Sequence, residues 1–195
     1  MVANYDVVLN SVTSSVAGQT FQKIAEFGQV SLWIGNFFAT AVSQTVTANF
    51  AATCNGCTVM TCRVSGMKRT GAQAAKQSAT GSGSGGTSPS CTFGITTLTG
   101  NPTIGVVGNA TNPCNITPNA SWIEGADTGF AVPTRGAEYA TRDSGFVGTA
   151  FAAWGLSGSA WEAVAVELDT SEPEKKKKLF VNPGMTQAVH RAAVR

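Results

Sequence analysis

The sequence predicts a mainly β protein, an antiparallel sandwich or barrel-like body with at most one or two short helices and an extended C-terminal arm. Three observations carry that expectation. Apolar and polar residues alternate with a period of two in several stretches, clearest at Trp161-Glu162-Ala163-Val164-Ala165-Val166-Glu167-Leu168, the mark of a strand with one buried face. Gly, Asn and Pro recur between those stretches as turn signals. After Asp169 the character changes to a charged run and a short apolar tail. The chain therefore divides into a β-rich body over 1–169 and an arm over 170–195, with a flexible Gly/Ser-rich loop at about 66–90.

Val7-Val8-Leu9 opens the body as a short apolar run. In residues 19–28, Phe21, Ile24 and Phe27 stand at helical spacing before Gly28, which fits one short helix, with a polar strand pair fitting nearly as well. Val30, Leu32 and Ile34 alternate with Ser31 and Trp33 as a strand ended by Gly35-Asn36. Val46, Ala48 and Phe50 alternate with Thr45, Thr47 and Asn49, again a half-buried strand. Residues 58–64 follow Cys54-Asn55-Gly56-Cys57 and read as its hairpin partner, because Asn-Gly favours a two-residue turn.

Lys, Gln, Ala, Gly and Ser then dominate 66–90, ending in Gly81-Ser82-Gly83-Ser84-Gly85-Gly86, a loop by composition. Strands resume at 92–95 and 103–107. Residues 109–119 read as loop, 146–154 as a mixed apolar segment, and 161–168 as the clearest strand. In that strand Val164, Val166 and Leu168 line one face. The arm runs from a charged hinge at Glu172 to Lys178 through Leu179-Phe180-Val181 to a weakly amphipathic end containing Met185 and Val189. Leu179, Phe180, Val181, Met185 and Val189 are its candidates for contact with neighbouring subunits, since so short a segment orders only against another surface.

Composition narrows the function. Hydrophobic residues make up 43% of the 195, enough for a core, but charged residues only 12%, about half the usual share of roughly a quarter. A coat so poor in charge is readily explained by partner subunits that cover it. The net charge of +2 gives no strong field to draw nucleic acid. No stretch has the length and apolarity of a membrane-spanning helix, and the first residues lack a secretory signal pattern.

The residues for catalysis are sparse. The single histidine, His190, lies in the arm, a poor place to hold a general base. Asp143-Ser144-Gly145 echoes a serine nucleophile over three residues only. Glu124, Asp127, Glu138 and Asp143 cluster in sequence, but in what reads as Gly-rich loop. Cys54, Cys57, Cys62, Cys91 and Cys114 form an odd set that suits disulfides with one thiol left for a neighbouring chain. Cys54-x-x-Cys57 has zinc spacing, yet its surroundings hold no second pair.

The Gly/Ser run lacks the Lys of a phosphate loop, and Lys175 to Lys178 next to Glu172 and Glu174 read as a solvated hinge. Trp122, Trp154 and Trp161 fit core or subunit contacts, or else a sugar-stacking platform. Asn109, Asn115 and Asn119 each begin a glycosylation pattern. No catalytic, metal or cofactor site is expected.

The leading expectation is a structural subunit of a virus or phage particle, as capsid, decoration or tail component. Its partners would be other copies of itself and other particle proteins, and its place the virion. The competing readings are a secreted, disulfide-containing adhesin or carbohydrate-binding module, and a small carboxylate-dependent hydrolase.

Overall fold

A computed structural model describes residues 2–5, 7–36, 43–114, 116–151 and 154–171. Among the described residues thirteen strands run β1 Val2–Tyr5, β2 Leu9–Ser14, β3 Phe21–Phe27, β4 Val30–Gly35, β5 Val46–Phe50, β6 Cys57–Met60, β7 Ala75–Gly83, β8 Cys91–Thr92, β9 Thr103–Asn109, β10 Ile123–Ala131, β11 Thr134–Arg142, β12 Ala150–Phe151 and β13 Trp161–Leu168. The one described helical element is a 3-10 turn at Gly71–Ala74. The chain is mainly β, as its alternation predicts.

Residues up to 60 supply a four-stranded sheet in the order β3-β4-β1-β6 and a separate ribbon, β2-β5. Residues from 75 onward supply a five-stranded sheet in the order β10-β11-β9-β13-β7 and the small pair β12-β8. All pairings between named strands are antiparallel. The two larger sheets pack face to face. Ala25, Val30, Leu32 and Met60 from one meet Ile104, Val106, Ala137, Val164, Val166 and Leu168 from the other. This is a β-sandwich core, filled by alternate residues of each strand.

Each sheet is also covered on its outer face. The β2-β5 ribbon lies on the four-stranded sheet through Leu9, Val12, Val46, Ala48 and Phe50 around Trp33. The five-stranded sheet carries a layer of loops and the β12-β8 pair, packed around Phe93, Cys114, Ile116, Trp154 and Trp161. β9 and β13 are consequently buried on both faces.

Four expectations change. The helical spacing at 21–27 belongs to strand β3, whose pairing with β4 slips between Lys23 and Ala25. The extra residue puts both Ile24 and Ala25 on the sandwich core, so a bulge imitates a three-residue repeat. The turn at 54–57 does not close a hairpin, because β5 pairs with β2 while β6 pairs with β1. It carries the chain from the outer ribbon to the sheet beneath.

The stretch read as a flexible loop contains β7, an edge strand along the whole of β13. Its glycines allow close approach. A Cβ on Gly81 would stand 2.0 Å from the Ser90 carbonyl oxygen, and one on Gly83 2.7 Å from the Trp161 ring. The fourth change is the hairpin β10-β11, whose strands join antiparallel across residues 123–141 where the sequence reads as Gly-rich loop.

Candidate functional site

The loop layer presents the most distinctive surface. Residues 93–99 run beside 145–149, with the Phe93 amide donating to the Thr149 carbonyl, Thr97 N to Gly148 O, and Gly145 N to Thr99 O. The Thr97 hydroxyl adds a bond to the Phe146 carbonyl at 2.8 Å. On these two joined segments Ile95 is 57% exposed, Leu98 53% and Val147 58%. The chain leaves strand geometry after Thr92, so Phe93 turns into the core while Ile95 turns out. Alternation across 92–95 would have put both on one face.

These segments are tied down from beneath by a buried carboxylate. Glu167, on the loop-side face of β13, is fully buried. It accepts from the Leu98 amide at 2.9 Å, Asn101 Nδ2 at 2.7 Å and Gln77 Nε2 at 2.6 Å. The Gln77 side chain in turn bonds the backbone of Ile95 through both its amide atoms. The exposed apolar residues therefore sit on a fixed platform.

The carboxylates grouped in sequence separate in space. Asp143 is exposed in a loop after β11, where Arg142 donates to the carbonyls of Ser144 and Gly145. Glu124 and Asp127 are exposed on the edge strand β10. Glu138 lies on β11 directly across from Asp127 and is only 1% exposed. Its carboxyl is pushed up to about 8 by burial first and then by Glu124, while the Trp154 indole pulls it down. Below that pH it is a neutral group in the loop-side core, beneath Cys114 and Trp154. Substrate cannot reach it without displacing that cover.

All five cysteines are free thiols, which corrects the expectation of disulfides within the chain. Cys91 and Cys114 belong to the loop-side core, and burial pushes both up to about 12. Cys57 is exposed, and Cys54 and Cys62 are half-buried. The Cys54 thiol donates to the Gly56 carbonyl at 2.8 Å, so the Cys54-x-x-Cys57 turn is held locally. Among the described residues no group of three or more His, Cys, Asp or Glu is placed to hold a metal ion.

Of the three tryptophans considered for a platform, Trp154 and Trp161 are core residues, and the Trp161 indole donates to Thr87 Oγ1 at 2.9 Å. Trp122 is half-buried. Its ring tilts against Phe146 at 5.3 Å between centroids, and the Arg142 guanidinium lies 5.9 Å from it. Leu179, Phe180, Val181, Met185, Val189, His190 and Lys175 to Lys178 lie outside the described residues, as does Asn115.

A second surface feature is a cleft of about 280 Å³ at the open end of the sandwich. Its walls are Leu32, Ile34, Ile104, Val166 and Leu168, and the 62–70 loop covers it with Cys62, Met67 and Arg69. Arg69 also clasps the end of the described chain. Its Nε stands 3.3 Å from Asp169 Oδ2 and donates to the Ser171 carbonyl at 3.2 Å, while its Nη2 donates to Ser171 Oγ at 3.3 Å. Asp169 is held below the usual carboxylate range, chiefly by the Ser171 hydroxyl and with help from Arg69. The clasp leaves no local mark in the sequence, since its two halves stand 102 positions apart.

No protein-family profile, curated protein or solved structure matches this chain. No helix among the described residues is long and apolar enough to cross a membrane.

Proposed function

We propose that the chain is a structural subunit of a larger particle of virus or phage type, working through contacts with copies of itself and with other particle proteins. The observation that carries this reading is the exposure of Ile95, Leu98 and Val147 on two mutually bonded segments over a rigid sheet. Apolar side chains fixed in place and left in water are stabilised when a partner covers them. The low charge of the whole chain agrees, since charged residues are depleted at the centres of interfaces. The carbohydrate reading retains Trp122 alone of its tryptophans, with Arg142 lying close to that ring. The hydrolase reading loses Glu138 to the core.

The test is light scattering coupled to size exclusion over a wide range of concentration, with the unsubstituted chain beside Leu98→Asp with Val147→Asp. The unsubstituted chain should form defined oligomers, and the doubly substituted one should dissociate at least about tenfold more readily, because charges replace desolvated apolar contacts. A chain that stays monomeric at every concentration, alone and with reductant, would remove the reading.

A further inference from the structure

We propose that the cleft at the open end of the sandwich receives the segment Leu179-Phe180-Val181 of the same chain. The proposal is independent of assembly, and place and size support it.

The place comes from the Arg69 clasp. Arg69 lines the cleft and holds Ser171 through its carbonyl and hydroxyl, so the described chain ends at the cleft's mouth. Leu179 stands eight residues beyond Ser171. That span reaches at most about 26 Å at roughly 3.3 Å per residue, ample for a return to the mouth. A tether of this length keeps the segment at an effective concentration in the mM range, so modest intrinsic affinity suffices.

The walls are aliphatic, and about 280 Å³ admits one or two large apolar side chains. An aromatic ring between aliphatic walls buries much area at little conformational cost.

The experiment uses the full chain and the half-buried thiol of Cys62, which lines the cleft. In one arm Phe180→Cys is treated with a short bismaleimide, and the joined peptides are mapped. Position 180 should be joined to Cys62 within single chains. In the other arm, N-ethylmaleimide labelling of Cys62 is timed in the unsubstituted chain, in Phe180→Asp and in Phe180→Leu, with exposed Cys57 as the internal reference.

Phe180→Asp should label Cys62 about tenfold faster, as expected when a segment docked about nine-tenths of the time is released. Phe180→Leu should stay close to the unsubstituted rate. Equal Cys62 rates in all three chains would overturn the proposal, and so would joining of position 180 to Cys62 solely between two copies.

Discussion

Val166 and Glu167 are neighbours on β13, both fully buried, yet they face opposite sides of the five-stranded sheet and keep different company. Val166 lies in the sandwich core, among Ile104, Val106, Val164 and Leu168, where the opposing sheet has already satisfied its own backbone. Glu167 faces the loop layer, whose ladder is no more than the short β12-β8 pair and a few bonds beside it. Loop amides taken out of water need acceptors, and the sheet supplies them as side chains. Glu167 serves Leu98 and Asn101, and Asn109 Oδ1 serves the amide and hydroxyl of Thr111. The sandwich face is sealed chiefly by area, with Glu162 accepting from the Gln29 amide at its end, and the loop face by area together with fully buried polar tethers.

This contrast can be broken most directly at Glu167. Glu167→Leu fills the position with a side chain of similar size but strands the donors of Leu98, Asn101 and Gln77, and should cost about 3–5 kcal/mol in urea unfolding, at roughly 1–3 kcal/mol per buried orphan. Its neighbour Val166→Ala should cost about 2 kcal/mol from lost burial and a small cavity. A smaller loss at Glu167 than at Val166 would mean the tethers do not hold the loop layer.

Next in size is the pH dependence at Glu138, where the loop-side face buries a carboxyl pushed up to about 8 from an ordinary 4.5. The unfolded chain sheds this proton near 4.5 while the fold keeps it. The stability that Glu138 contributes is therefore complete below about 4.5 and lost as pH rises through about 8. Between pH 5 and 8 the unsubstituted chain should lose on the order of 2–4 kcal/mol relative to Glu138→Gln, read as a difference in slope between two unfolding series. Parallel slopes would mean that Glu138 is charged in the fold. The smallest effect concerns the thiols. At pH 8, maleimide should label Cys57 promptly and leave Cys91 and Cys114 untouched until the chain unfolds, with quantification by peptide mass spectrometry.

The strands that alternate cleanly were legible in the sequence. β4, β5 and β13 each place a single hydrophobic set on a single partner, or are so uniformly apolar that either face serves. What was not legible follows from the loop layer. β7 is Ala-Lys-Gln-Ser-Ala-Thr-Gly-Ser-Gly, linker-like in composition, because its glycines admit Ser90 and Trp161 at close range. The β10-β11 hairpin was hidden for the same reason. A Cβ on Gly136 would stand 2.3 Å from the Cys114 amide, so the covering loop requires glycine in the middle of a strand. Glu138 reads as an exposed loop acid because nothing in the sequence marks its strand, its cover or its burial. The five cysteines suggested cross-links by their number alone, and number says nothing about where their sulfurs point.

The position of β13 between β9 and β7 has a consequence for the order in which the fold can close. β7 is complete at Gly83, but the strand it pairs with begins at Trp161. During synthesis roughly 80 residues separate the two, about 4–16 s at ~5–20 residues per second. For that interval the five-stranded sheet lacks the strand that joins β7 to β9, and β7 must wait without a ladder. An apolar strand left waiting would invite the wrong neighbour. Ser, Thr, Gln, Lys and Gly make β7 a poor template for such pairing. The composition that disguised it as a linker is also what lets it wait.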